Sequence, residues 1–213
     1  RDIGAVQTGN FQAAAGTTLT GTTINSGNQI VASSGGNMTL GNLSANNDIR
    51  LTSGGNIITG SIDSGDDVAS VATGSISTLD IFAYDDVSAD AGTTITTDDI
   101  TGNSIDLFAD GSIDTGNLLT QDFFGGQFQL FPGASITVQS GGDVDTGTIN
   151  SIDGVYVSAI GTIASGAIDA ITFVQLDAGG SITAGNINAG SYIDIFSDTG
   201  LLDLEDLHAG TQI

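Results

Sequence analysis

Residues 35–68 read GGNMTLGNLSANNDIRLTSGGNIITGSIDSGDDV, and this stretch decides the fold. It contains nearly two copies of one pattern, in which a glycine-rich turn is followed by three short apolar segments separated by polar turns. Met38 of the first copy recurs nineteen residues later as Ile57, and Leu43 recurs at the same interval as Ile62. A fixed period of about twenty residues predicts an architecture of stacked repeats, and this signal outranks any local motif.

The same period extends along nearly the whole chain. An apolar residue opens each of ten successive repeats, at Leu19, Met38, Ile57, Ile76, Ile95, Ile113, Val144, Ile163, Ile182 and Leu202. A second apolar residue follows five positions later in every repeat, and a third follows after a further six positions in eight of the ten. The exceptions are a gap of five before Ile105 and a gap of eighteen between Leu118 and Ile136. The longer gap predicts an insertion in one otherwise regular repeat.

The residues of these segments are typical of short β-strands. Their apolar positions are mostly Ile, Val and Leu, flanked by Thr, Ser, Asn and Asp, so one face points inward and the other faces water. Glycines recur at fixed phases of the repeat, where turns need a positive φ or a close approach between coils, and the 32 glycines disfavour long helices. The sequence therefore predicts an all-β fold, a right-handed parallel β-helix with three short strands per 19-residue coil. About ten coils would form a rod roughly 50 Å long.

The unbroken repeat predicts a single β-helical domain over residues 1–213. Phe11 enters in phase with Ile30, and Ile213 lies in the third apolar column, so neither end carries a polar cap. Exposed strand edges invite pairing. We therefore expect a segment of a longer fibre or a stacking subunit, whose ends abut more of the same chain or another subunit arranged head to tail.

The composition excludes several classes of partner. The chain carries 25 acidic residues against two arginines, and its formal net charge is −23. Nucleic acid and anionic membrane surfaces would be repelled. No apolar run reaches eighteen residues, which excludes insertion in a membrane as a helix, and the absence of cysteine excludes disulfides. The acidity suits either a solvated surface or surroundings in which salt or calcium screens the carboxylates.

The repeat resembles the nineteen-residue repeats of filamentous haemagglutinin and related exoproteins of the two-partner secretion pathway. The resemblance rests on residues 35–68, on GGDVDTGTINSIDGVYV at 141–157 and on GGSITAGNINAGSYIDI at 179–195. It implies an extracellular or bacterial cell-surface protein that is exported as a long β-helical fibre. The function it implies is that of a structural shaft of an adhesin or filament, which displays loops for adhesion to a host cell, a neighbouring cell or a glycan.

The insertion at residues 119–135, LTQDFFGGQFQLFPGAS, is the first candidate binding element. It holds four of the nine phenylalanines and the only proline, and the candidate binding residues are Phe123, Phe124, Phe128 and Phe131. Loops on a rigid scaffold often carry function, and aromatic side chains bind sugars and proteins. The alternative is that these phenylalanines fold back and cover the flank of the helix.

A stack of carboxylates is the second candidate. The repeat places Asp48, Asp67 and Asp86 in one column, with Asp66 and Asp85 in the column beside it. Stacked carboxylates about 5 Å apart repel each other unless a cation or protons intervene, and ligands that are all oxygen suit calcium. Calcium is the only cofactor that the sequence suggests. The alternative is that these side chains splay outward and are hydrated.

Catalysis and ice binding are weaker alternatives. Asp114 and Asp145 would stack in adjacent first strands, a pairing that could serve glycoside hydrolysis in a carbohydrate-active β-helix. Acidic pairs arise by chance in so acidic a chain, and cysteine nucleophiles, lysines and histidine clusters are absent from the sequence, so we expect no enzyme. A flat threonine face would suit ice binding, but Ile58 and Asp145 interrupt that column.

Overall fold

The computed structural model describes residues 2–4, 6–121 and 135–211, which form 32 β-strands and no helix. The described residues accordingly include no helix long and apolar enough to span a membrane. Each coil contributes one strand to each of three long parallel sheets, except that the last described coil contributes to the first two sheets only. The all-β, three-stranded solenoid predicted from the repeat is confirmed.

The first two sheets each contain eleven strands. The first sheet consists of β1 (Asp2–Ile3), β4 (Leu19–Gly21), β7 (Met38–Thr39), β10 (Ile57–Ile58), β13 (Ile76–Ser77), β16 (Ile95–Thr97), β19 (Ile113–Thr115), β22 (Val144–Thr146), β25 (Ile163–Ser165), β28 (Ile182–Ala184) and β31 (Leu202–Leu204). The second sheet consists of β2 (Val6–Thr8), β5 (Ile24–Ser26), β8 (Leu43–Ala45), β11 (Ile62–Ser64), β14 (Ile81–Ala83), β17 (Ile100–Gly102), β20 (Leu118–Thr120), β23 (Ile149–Ser151), β26 (Ile168–Ala170), β29 (Ile187–Ala189) and β32 (Leu207–Ala209).

The third sheet contains ten longer strands. These are β3 (Phe11–Ala15), β6 (Ile30–Ser34), β9 (Ile49–Ser53), β12 (Val68–Ala72), β15 (Val87–Ala91), β18 (Ile105–Ala109), β21 (Ile136–Ser140), β24 (Val155–Ala159), β27 (Phe173–Ala178) and β30 (Tyr192–Ser197). Ile105 pairs directly with Ile136, so the sheet continues in register across the insertion.

The register places like residues above one another, as the repeat predicts. Met38 pairs with Ile57, and Ile57 pairs in turn with Ile76. These apolar columns fill the interior of the solenoid, where Leu19, Ile24 and similar side chains have no exposed surface. Stability therefore accumulates from contacts between neighbouring coils, since each coil covers the apolar surface of the next.

The interior also holds a set of small polar residues that the apolar pattern did not reveal. In most of the three-residue strands of the first two sheets the first and third residues both face the interior, as Ile62 and Ser64 do in β11. Ser64 is fully buried, and its Oγ lies 2.8 Å from the Asn47 carbonyl oxygen and 3.0 Å from that of Asp67, so it can donate to either. Such serines tie the strand end to the following turn.

The recurring glycines are explained by close approach between coils. A Cβ added to Gly54 would lie 2.5 Å from the carbonyl oxygen of Gly35, which occupies the same position one coil earlier. A Cβ at Gly141 would lie 2.1 Å from the carbonyl oxygen of Asp110. Glycine leaves room for the stacked backbones at these corners, although Thr73 and Ile160 occupy the same position in other coils.

Candidate cation site and second-sheet groove

The five predicted cation ligands occupy three successive turns between the second and third sheets, after β8, β11 and β14. Backbone hydrogen bonds hold these turns in register. The amide nitrogen of Ile49 donates to the Asp67 carbonyl oxygen at 2.9 Å, and that of Val68 donates to the Asp86 carbonyl oxygen at 2.9 Å. The stacking predicted from the nineteen-residue period is therefore present.

The carboxylates form two overlapping groups. One oxygen each from Asp48, Asp66 and Asp67 lies within 4.8 Å of the other two, and the same holds for Asp67, Asp85 and Asp86. Asp67 belongs to both groups. Four of the five side chains are partly buried, and Asp86 is exposed. We call these five residues the acidic cluster.

The acidic cluster interrupts a ladder of asparagines. Asn47, which directly precedes Asp48, donates through its Nδ2 to the Asn28 Oδ1 of the preceding coil at 2.5 Å. In the coil after it, the Asn103 Nδ2 donates to the Asp85 Oδ1 at 3.1 Å. An amide both donates and accepts, so an asparagine ladder satisfies itself, whereas an ionised carboxylate only accepts. Asp66 and Asp85 stack in adjacent coils, where the Asp85 amide nitrogen donates to the Asp66 carbonyl oxygen at 3.3 Å, and a proton, a cation or water takes the place of the amide donor between their side chains.

Local partners offset part of this negative charge. The Arg50 guanidinium lies 2.7 Å from an Asp48 carboxylate oxygen, although Arg50 is itself half exposed. Ser104 Oγ donates to the Asp86 Oδ1 at 2.7 Å. Burial raises the pKa of Asp66 above its ordinary value of 3.8, and the neighbouring charge of Asp67 adds to the rise. Burial also raises the pKa of Asp67, against the opposing effect of the Asp86 backbone amide.

This arrangement can bind a hard cation or share protons. Calcium accepts six to eight oxygen ligands in flexible geometry, and the acidic cluster offers carboxylate oxygens from three adjacent coils. Burial and neighbouring carboxylates raise the pKa of Asp66 and of Asp67, and a bound cation would relieve the same repulsion. Calcium binding stays a prediction.

The four candidate phenylalanines of the insertion, Phe123, Phe124, Phe128 and Phe131, lie outside the described residues. The insertion begins later than predicted, because Leu119 and Thr120 complete β20 and Leu119 pairs with Thr101. Both attachment points are held by the solenoid. The Gln121 amide nitrogen donates to the Gly102 carbonyl oxygen at 2.9 Å, and the Ser135 carbonyl oxygen accepts from the Ile105 amide nitrogen at 3.0 Å.

The carboxylate pair considered for hydrolysis lies on the outer face of the first sheet. Asp114 pairs with Asp145 across β19 and β22, and both side chains are exposed. The neighbouring outward positions are Thr96 and Ala164. The threonine face considered for ice binding occupies this same outer column, and the two aspartates interrupt it.

The structure adds a feature that the inward columns could not reveal. An open groove of about 450 Å³ runs over the second sheet from β20 to β32. Its lining includes the outward side chains Leu119, Asn150, Asp169, Asn188 and His208, one from each of five successive strands. We call it the second-sheet groove. The sequence signal that could have revealed the groove is the outward position of each second-sheet strand, which is asparagine in both β23 and β29.

The edge of the groove is apolar. Ile152 and Ile171 line it from the turns that follow β23 and β26. Two residues beyond Ile171, Phe173 stacks on Tyr192 with ring centroids 5.4 Å apart and an interplanar angle of 9°. The Phe173 ring also lies against Gly154, where an added Cβ would be 2.2 Å from it.

Comparison of the chain with models of protein families, with curated proteins and with solved structures finds no match. The resemblance to filamentous haemagglutinin repeats therefore rests on the repeat pattern and on a parallel solenoid with coils of about nineteen residues.

Proposed function

We propose that this chain is the structural shaft of a bacterial surface adhesin or extracellular filament, a rigid rod that displays loops for adhesion. The observation that carries the proposal is the unbroken register of the three sheets, which continue across the one insertion in the repeat. A solenoid of this kind resists bending because every coil is hydrogen-bonded to two neighbours. Location at the cell surface or outside the cell is part of the proposal.

In this proposal the last described coil is covered by a further coil. The apolar columns continue into it, yet Leu202 is 51% exposed there, whereas Ile182 of the preceding coil is fully buried. More of the same polypeptide, or another subunit stacked head to tail, would bury this surface. Association of the isolated chain should then increase with concentration and with salt, which screens the net charge of −23. Light scattering that shows a monomer throughout a salt series would contradict the stacking.

The adhesive part of the proposal is tested by display on a non-adherent bacterium. Cells that display the whole chain should bind a host-cell layer or an immobilised glycan, and cells that display a variant without residues 122–134 should not. The variant must keep the circular dichroism spectrum and melting temperature of the parent chain, because the pairing of Ile105 with Ile136 does not need the insertion. Equal binding by both chains would refute display by the insertion.

The proposed role is not catalytic. Hydrolysis at the exposed Asp114 and Asp145 pair is the competing function, and their direct pairing across two strands is the observation in its favour. Release of reducing sugar from a glycan, abolished by Asp114→Asn, would establish the hydrolase and displace the shaft as the primary role.

A further inference from the structure

We propose that the second-sheet groove binds an extended, uncharged polysaccharide that lies along the solenoid axis. The ligand would contact the outward side chains Asn150, Asp169, Asn188 and His208, which succeed one another at intervals of one coil. This site is separate from the acidic cluster, and it begins at Leu119 and Thr120, next to the point where the insertion leaves the solenoid. It does not depend on the role of the solenoid as a shaft.

The spacing of the groove selects the kind of polymer. Neighbouring parallel strands are about 4.8 Å apart, so five strands span roughly 19 Å. A β-linked pyranose unit is about as long as one such step, so successive sugars would meet the same kind of side chain in every coil. An extended peptide advances about 3.3 Å per residue and would lose register within two coils. The repeat of the groove therefore favours a glycan over a peptide.

The chemistry of the lining matches the two kinds of surface on a sugar. Asn150 and Asn188 can donate and accept hydrogen bonds, and Asp169 accepts them, which suits the hydroxyl groups at the ring edge. Ile152 and Ile171 provide an apolar wall for the C–H face of the ring. Binding sites for small molecules commonly combine an apolar lining with a few placed polar groups.

Charge decides which polysaccharide fits. The net charge of −23 repels polymers that carry uronate or sulfate groups. Among the described residues that line the groove, Asp169 is the only acidic one, and its Oδ1 accepts a hydrogen bond from the Asn188 Nδ2 at 2.7 Å. This pair leaves amide and carboxylate oxygens free to accept from hydroxyl groups, so the groove fits a neutral chain.

The groove is organised before the ligand arrives. Asn150, Asp169 and Asn188 stand on strands that are paired on both sides, and each pairs directly with the next. Binding therefore costs little conformational entropy in the protein, so a few hydrogen bonds can give a higher affinity.

The test titrates the whole chain with three neutral β-1,4-linked hexasaccharides, of glucose, N-acetylglucosamine and mannose, and with hexagalacturonate as the acidic probe. Calorimetry and amide chemical shifts would follow binding. We expect at least one neutral probe to bind and the acidic probe not to bind. Asn188→Ala should weaken binding about tenfold, since it removes both a sugar contact and the partner of Asp169.

The matched control is Asn25→Ala, which changes the same outward column of the second sheet on β5, outside the groove. It should bind the neutral probe as the parent chain does, and both variants should keep the parent melting temperature. Binding to none of the neutral probes would overturn the proposal. An equal loss in the two variants, preference for the acidic probe, or concentration-dependent shifts of groove amides without sugar, which would indicate a second copy, would also overturn it.

Discussion

The interior of the solenoid and the edge where its second sheet turns into its third follow opposite rules. Inside, each coil repeats the last, as the fully buried column of Ile24, Leu43 and Ile62 shows. At the edge, asparagines give way to the acidic cluster, then to the insertion, and finally to Phe173 and Tyr192. The contrast separates the part of the sequence that specifies the fold from the part that can carry a site.

The difference has a physical cause. An inward side chain contacts the coils on both sides and the other two sheets, so a change in its size or polarity disturbs several neighbours at once. A side chain at the turn contacts chiefly the equivalent residues one coil away and water. Substitutions there cost little, so the edge can acquire charges, aromatic rings and an insertion while the three sheets stay in register.

The largest expected effect comes from placing a charge in the interior. Ile163 is 1% exposed and packs between Val144 and Ile182, so Ile163→Asp would bury an unpaired carboxylate. The change should cost about 4 kcal/mol or more in free energy of unfolding, measured by denaturant melts. Ile58→Thr on the outer face, where Ile58 is 47% exposed, should cost less than about 1 kcal/mol. Equal losses in free energy of unfolding for the two variants would show that Ile163 does not face the interior or that Ile58 does not face solvent.

A smaller effect distinguishes two buried serines. The Ser64 hydroxyl has two backbone acceptors within reach, whereas among the described residues the buried Ser70 hydroxyl has no hydrogen-bond partner. Ser64→Ala should therefore destabilise the chain by about 1 kcal/mol, and Ser70→Ala should leave the free energy of unfolding unchanged or raise it. Denaturant melts of the two variants under the same conditions check this. Destabilisation by Ser70→Ala as large as that by Ser64→Ala would contradict the account.

The acidic cluster should respond to pH in the direction that its pKa values require. The pKa of Asp66 is raised above 3.8, so ionisation of this carboxylate destabilises the folded state as the pH rises above 3.8, and the penalty is complete above the raised value. Asp66→Asn removes that penalty. In chelator at neutral pH it should raise the melting temperature by a few degrees, and the gain should disappear as the pH falls below 3.8. Asp63→Asn, on the exposed face of β11, serves as the control and should show no such gain.

Calcium should have the opposite effect on the parent chain, whose melting temperature should rise when the metal is added. If the cluster binds calcium, saturating calcium raises the melting temperature of the parent chain, because a ligand of the folded state stabilises it by mass action. Asp67 belongs to both carboxylate groups, so Asp67→Asn should abolish most of the calcium response. Melting temperatures that are identical in calcium and in chelator, at fixed ionic strength, would leave only hydrated carboxylates.

The fold could be predicted from the sequence because the inward columns are visible as apolar residues at a fixed period. The small inward residues, such as Ser64 and Thr97, were not predicted, since they look like turn residues until the strands are paired. The stacking of the five aspartates could be predicted because it follows from the same period, whereas cation binding by them stays a prediction. The second-sheet groove was missed because its residues, Asn188 among them, are ordinary surface residues whose meaning depends on which face of a strand they occupy.

The central claim, that each coil is an interchangeable unit of a shaft, is tested most directly by deleting one coil. Deletion of residues 163–181 brings Ile182 to the position above Val144 that Ile163 occupied, so the three columns remain in register. Deletion of residues 163–171 removes about half a coil and breaks the register. The account predicts that the first variant keeps a β-rich circular dichroism spectrum and cooperative melting within a few degrees of the parent chain, and that the second variant does not. Equal tolerance of both deletions, or unfolding of both, would contradict it.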